Sequence, residues 1–301
     1  MWKLALHSVS YAGVWPGQAS LPLEGFLDRA ADLGFEGVML MAKRGHASLL
    51  EMDPDRRQAV RDQLRRRGLE LAAIASYTNF TAGADRPDIP IQEMQILYVR
   101  ECARLARDLG GGIVRIFTGY ECAELTPAQS WQRCVQAIRE CGRAAAEFGV
   151  TIAVQNHHDI AVNHTAMRDL LEEVAVPNVK AGFDAWAPTL QGLSGDELAD
   201  AVRSMAPYIA QTIVADYIRQ PRFRYHPALT NYTREPDNLH AVPVGEGIID
   251  YASFFSALRE IRYDGWVTYE ICSSIRGGGS LENLDKVARH FIDWMLGRQP
   301  G

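Results

Sequence analysis

Ile113-Val114-Arg115-Ile116-Phe117, then a stretch of charges and helically spaced apolar residues over 127–147, then Thr151-Ile152-Ala153-Val154-Gln155: this run decides the fold. A short β-branched run reads as a strand, and a longer amphipathic stretch as a helix. Strand, helix, strand with no hairpin turn between them is a parallel crossover unit. The same texture continues in both directions. Upstream lie Leu4–Val9 before a helix at 23–33, Gly37–Met41 before a basic helix at 54–67, and Leu69–Ser76 before a helix near 91–109. Downstream, Thr151–Gln155 precedes a helix near 165–174 and Val179–Phe183 one near 195–204. Ile209–Ala215 precedes one near 250–261, and Trp266–Glu270 one near 281–296. Eight strand–helix units in one chain predict an α/β fold, a single (β/α)8 TIM barrel spanning 1–301. A doubly wound sheet competes, but the first turn, Ser8-Val9-Ser10-Tyr11-Ala12-Gly13, has no G-x-G-x-x-G. Residues 216–247 are too long for a simple βα loop and are expected to form a lid or an oligomer contact.

Composition narrows the function classes. With Lys plus Arg 31 and Asp plus Glu 37, the net charge is −6 and no basic stripe appears, which disfavours nucleic acid. No apolar run reaches the roughly 18 residues of a membrane span. The start, Met1-Trp2-Lys3-Leu4, turns polar too early for a signal peptide, and five cysteines without C-x-x-C argue for a reducing, cytoplasmic setting.

In such a barrel the active site lies at the C-terminal ends of the strands. The residues there are His7, Lys43, Arg44, Tyr77, Asn79, Arg115, Gln155-Asn156-His157-His158-Asp159, Asp184, Trp186, Asp216, Tyr217 and Glu270. His7 reads either as a hydrogen-bonded core residue or as a substrate contact, and Arg115 either as half of a buried ion pair or as a substrate contact. Gln155, Asp184 and Glu270 each end an apolar strand and would bring three oxygen donors into one pocket. Such a set suits a hard divalent ion, Mn²⁺ or Mg²⁺. His157, two residues beyond Gln155, falls on the same strand face, so it is the first choice for a general acid or base, with His158 pointing away. Ser273–Ser280 holds three glycines before a helix start. It reads as an anion site with Arg276, or as a plain connection capped by Ser280. Arg224 in the long segment, with Trp186 and Tyr217 as aromatic faces, could cover the same pocket.

At these residues the chain resembles the xylose-isomerase-like family of sugar isomerases and epimerases. Leu33-Gly34-Phe35-Glu36-Gly37-Val38, Val242-Pro243-Val244-Gly245-Glu246-Gly247-Ile248-Ile249-Asp250-Tyr251, and Tyr263-Asp264-Gly265-Trp266 with Glu270 carry the resemblance. It implies one divalent ion held by acids of strands 5, 6 and 8 and a His or Gln of strand 7, and no organic cofactor. Two acids would exchange a proton beside a carbonyl. Asp184 and Glu270 match that pattern. Gln155 stands where a Glu is expected, and Ile213 where the strand-7 ligand is expected. Asp216 is the favoured replacement, with Gln211, a neighbouring His or water as alternatives.

These readings give a metal-assisted isomerase or epimerase on a sugar, keto-sugar or cyclitol, with Glu270 and His157 as acid–base groups. His7, Arg115, Trp186, Arg224 and Arg276 would bind substrate, and Gln155, Asp184, Asp216 and Glu270 the metal. Because Gln155 cannot act as a base, a lyase eliminating water or an aglycone is the alternative. A non-catalytic sugar-binding relative is the reading from another class. A homo-oligomer, dimer or tetramer, is expected from the long segment.

Overall fold

The computed structural model describes residues 2–298. Eight parallel strands close into a barrel: β1 (Lys3–His7), β2 (Gly37–Met41), β3 (Glu70–Ala75), β4 (Ile113–Ile116), β5 (Thr151–Gln155), β6 (Val179–Gly182), β7 (Ile209–Val214) and β10 (Trp266–Tyr269). The eighth barrel strand pairs back onto the first, Lys3 opposite Trp266 and Leu6 opposite Tyr269, which leaves no free edge. Outside them run α1 (Leu23–Leu33), α2 (Pro54–Arg66), α3 (Ile91–Leu109), α4 (Pro127–Ala146), α5 (His164–Val174), α7 (Gly195–Ser204), α8 (Tyr251–Glu260) and α9 (Leu281–Met295). A short α6 (Trp186–Leu190) precedes α7.

Side-chain alternation along each strand makes two cores. Val38, Leu40, Ile74, Val114, Ile116, Ile152, Val154, Val214 and Val267 join the large cluster between strands and helices. Their alternates Met39, Met41, Ala73, Ala75 and Ile213 form a second buried cluster inside the barrel. The helices start where their caps stand. Asp53 accepts from Arg56 N ahead of Pro54, and Thr126 and Gln129 form a capping box at α4.

Three local expectations change. The first strand stops at His7 rather than Val9, because Ser8–Tyr11 turns into a 3₁₀ helix whose start His7 caps through Nδ1. The long segment is a hairpin, β8 (Asp216–His226) paired antiparallel with β9 (Asn231–Val242). Phe223, Tyr225, Leu229 and Tyr232 stand exposed toward its tip. The chain after strand 8 of the barrel is a tied loop. Ser280 caps α9, and Asn283 Nδ2 donates to the carbonyls of Arg276 (3.0 Å) and Gly278 (2.7 Å). Gly279 is there for close packing, since a Cβ would collide with the carbonyl of Gly17. Among the described residues, no helix is long and apolar enough to cross a membrane.

Candidate active site

A cavity of about 530 Å³ opens at the C-terminal mouth of the barrel. Its volume is in the range of small-molecule sites. Its walls include His7 from β1, Tyr77 and Asn79 after β3, Arg115 and Phe117 from β4 and its end, Gln155, His157 and His158 from β5 and its turn, and Glu270 and Cys272 after β10. His7, Arg115, Gln155 and Glu270 hold the inward-facing parity of their strands, which is why polar residues follow apolar ones toward the mouth.

Arg115 is buried at 2% exposure. Its Nη1 donates to the Ser76 carbonyl at 2.9 Å, and its guanidinium lies 4.0 Å over the Phe117 ring. Phe117 in turn stacks on His158 (centroids 4.2 Å apart), and His158 on Tyr120 (4.0 Å). His158 therefore does not point away. The chain leaves the strand after Gln155 and turns, bringing both imidazoles onto the pocket wall with their Nδ1 atoms 3.0 Å apart. Trp186 packs edge-on against His157, centroids 5.2 Å apart, and backs that ring rather than lining the cavity.

Burial, then Arg115, pushes the His157 pKa down to about 4. Burial, then His157 and Arg115, lowers that of His158 to about 3. Both rings are neutral at pH 7, so His157 offers an N–H or a lone pair rather than a titrating proton. The shift takes His157 away from the near-neutral titration expected of it. Burial also raises Glu270 above the ordinary carboxylate range, opposed by Arg115 and by a weak bond from Cys272 Sγ (3.4 Å) to Oε1.

Of the expected metal ligands, Gln155 and Glu270 line the cavity and Gln155 bonds Asp184, whereas Asp216 lies apart. Asp184 is fully buried; its Oδ1 accepts from Ile213 N at 2.7 Å and its Oδ2 from Gln155 Nε2. Burial pushes Asp184 up to about 7. Asp216, expected as the strand-7 replacement, faces away from the cavity. Its carboxylate accepts from the backbone N–H groups of Tyr217 (2.9 Å), Gly245 (2.9 Å), Gly247 (3.0 Å) and Ile249 (3.3 Å). The family's strand-7 position is filled by Ile213, an apolar member of the inner core. Among the described residues no three His, Cys, Asp or Glu groups gather as an ion would need. With one apolar ligand position and one carboxylate turned outward, this donor set does not fit the four-ligand ion site that the resemblance implies.

The two expected arginine contacts are also elsewhere. Arg224 lies exposed on the hairpin, paired with Glu235 at 2.8 Å, and no hairpin residue borders the cavity. Arg276 pairs with Glu246 at 2.8 Å beside a different, smaller cleft. Several wall residues, Phe117, Tyr120, Gln95 and Cys272 among them, were not singled out as site residues from sequence. Phe117 carries a signal, since it stands two residues after Arg115 and shares its face. Gln95 comes from α3 and reaches the wall by bonding both backbone groups of Asn79, which strand-end reading does not reveal.

A closed (β/α)8 barrel with one polar pocket at its C-terminal mouth defines the class. The family model for the xylose isomerase-like TIM barrel matches residues 27–296, and the chain belongs to that family. Among curated proteins it is similar to inosose dehydratase of Lacticaseibacillus casei, 27% identical over 141 residues. That match covers 46% of each chain, so the chain spans about half the length of the curated relatives it matches. Among solved structures, L-ribulose 3-epimerase aligns with TM-score 0.71 at 17% identity over 98% of this chain and 93% of that one. D-psicose 3-epimerase from Clostridium cellulolyticum H10 aligns at 0.74 and 16%, covering 98% of both. A probable 3-DHS dehydratase from Bacillus anthracis aligns at 0.71 and 18%, covering 97% of this chain and 98% of that one. At these identities the structural likeness establishes the fold.

Proposed function

We propose that the chain transfers a proton at a carbon next to a carbonyl of a sugar-like substrate, with isomerisation as the outcome. One observation carries this reading: among the described residues Glu270 is the single carboxylate lining the cavity, and it sits at the C-terminal end of the barrel strands. Its raised pKa makes it a stronger base once ionised. Arg115 and His7 hold a substrate oxygen. Glu270 removes the proton from the carbon and returns it to the neighbouring carbon on the same face, while the hydroxyl proton passes between the two substrate oxygens. Neutral His157 supplies a hydrogen bond to the migrating hydroxyl. Epimerisation needs a second base on the other face. Gln155 cannot be that base, and its amide is already bonded to Asp184. Metal assistance, which the family resemblance implies, has no part in these steps because the donor set does not close.

Dehydration is the second reading, and the Gln155 amide together with the likeness to inosose dehydratase favours it. Glu270 would then carry the abstracted proton to the departing hydroxyl, leaving an enol and water. Incubation with a panel of keto-sugars and inososes in D₂O, followed by NMR, tests both. Deuterium uptake with the carbon skeleton and oxygen count retained supports isomerisation, and water loss supports dehydration. Binding without exchange or product would refute proton transfer.

A further inference from the structure

The pocket holds a buried cation with no carboxylate within ion-pair distance among the described residues. Arg115 makes no ion pair among the described residues; its polar contacts are the Ser76 carbonyl and the edge of His7. Its Nε is buried without an acceptor, and so is the hydroxyl of Tyr77 on the same wall. Buried charges in proteins are ordinarily paired, and buried donors ordinarily satisfied.

The contact with His7 sharpens the point. Arg115 Nη2 stands 3.5 Å from His7 Nε2. His7 Nδ1 accepts from Val9 N at 3.0 Å, so that nitrogen carries no proton. The neutral ring must then carry its proton on Nε2. Two N–H donors face one another with no acceptor between them, and the short 3₁₀ turn fixes this arrangement. An acceptor is missing, and the adjacent guanidinium asks that it be negative.

We propose that the substrate is a sugar acid whose carboxylate seats between Arg115 and His7, with the Tyr77 hydroxyl at its edge. This rests on the reading that the pocket takes a sugar-like molecule. The shape selects a carboxylate over a phosphate. Phe117 closes one face of the guanidinium and Ser76 takes one of its corners, which leaves a flat edge for a two-oxygen planar group. A tetrahedral phosphate would not lie flat along that edge. Glu270 borders the same cavity but stands outside ion-pair distance of Arg115, free to act as the base.

Calorimetric titration of the full chain tests the assignment. D-Gluconate and D-glucuronate are compared with their neutral counterparts D-sorbitol and D-glucose, and with D-glucose 6-phosphate. The acids are expected to bind about tenfold tighter than their counterparts, the worth of one charge-assisted pair. Arg115→Gln should erase that preference, bringing the ratio of acid to neutral affinity to about one, and Arg115→Lys should keep part of it. Equal binding of acid and neutral sugar, or tighter binding of the phosphate ester, overturns the inference and leaves the functional reading standing. If none of the five binds, the sugar-like reading falls and the inference with it. Should Arg115→Gln not fold, the wild-type ratio of acid to neutral affinity decides alone.

Discussion

Replacing Asp216 separates a structural anchor from a metal ligand. In the structure its two carboxylate oxygens divide four backbone N–H groups, Tyr217 and Ile249 on Oδ1, Gly245 and Gly247 on Oδ2. Asp216→Asn keeps one oxygen and turns an NH₂ group onto the other pair. A buried donor left unmatched costs about 1–3 kcal/mol. Gly245 is exposed and Gly247 half-buried, so water replaces part of the loss and the low end applies. The substitution should cost about 2–3 kcal/mol, or about 4–6 °C in unfolding temperature at roughly 2 °C per kcal/mol for a chain this long. Scanning calorimetry at one fixed scan rate, on metal-free protein, measures it. Asp216→Ala should fall further. Unchanged unfolding of metal-free Asp216→Asn would refute the anchoring role and reopen Asp216 as a ligand.

Other consequences follow from the same geometry. Chelation followed by 1 mM Mn²⁺ should leave the unfolding temperature within about a degree. An ion bound at a hundred times its Kd would add about 2.7 kcal/mol, a rise of several degrees. The pH profile of kcat/KM should rise with pH on an acid limb above 4.5, since Glu270 must lose a proton and its pKa is raised. His157, held near 4, should add no limb between pH 6 and 7, and a second transition there would contradict its neutral state. Asp184, raised to about 7 in the folded chain against about 3.9 unfolded, binds its proton more tightly when folded. Its contribution is full below about pH 4 and is lost as pH rises through about 7, so Asp184→Asn should flatten the fall in urea stability between those limits; an unchanged slope would contradict it.

The fold was legible because each strand–helix unit carries its own period. Gly37–Met41, Thr151–Gln155 and the helices at 23–33 and 195–204 stand where the spacing puts them. The hairpin was not, because Arg-, Tyr- and Pro-rich strands exposed on both faces lack the alternation that marks a half-buried strand. At the site, strand-end position located His7, Arg115, Gln155, His157 and Glu270 around one cavity. It misled for Asp216, whose strand-end place is real but whose partners are three amides of the 245–249 segment and its own neighbour's N–H. The Gly245-Glu246-Gly247 motif was visible; the reason for it was not. A Cβ at Gly247 would overlap the Asp216 carboxylate. His158 was misplaced because parity holds only while the chain remains a strand, and the turn begins at Asn156.

The central claim is that Glu270 moves the proton. The most direct measurement is deuterium wash-in from D₂O into a bound sugar acid or keto-sugar by wild type and by Glu270→Gln, with ligand affinity recorded for both. We predict that Glu270→Gln binds within a few-fold of wild type and loses exchange by about a thousandfold, within the range one acid–base group supplies. Exchange at the wild-type rate in Glu270→Gln would contradict the account.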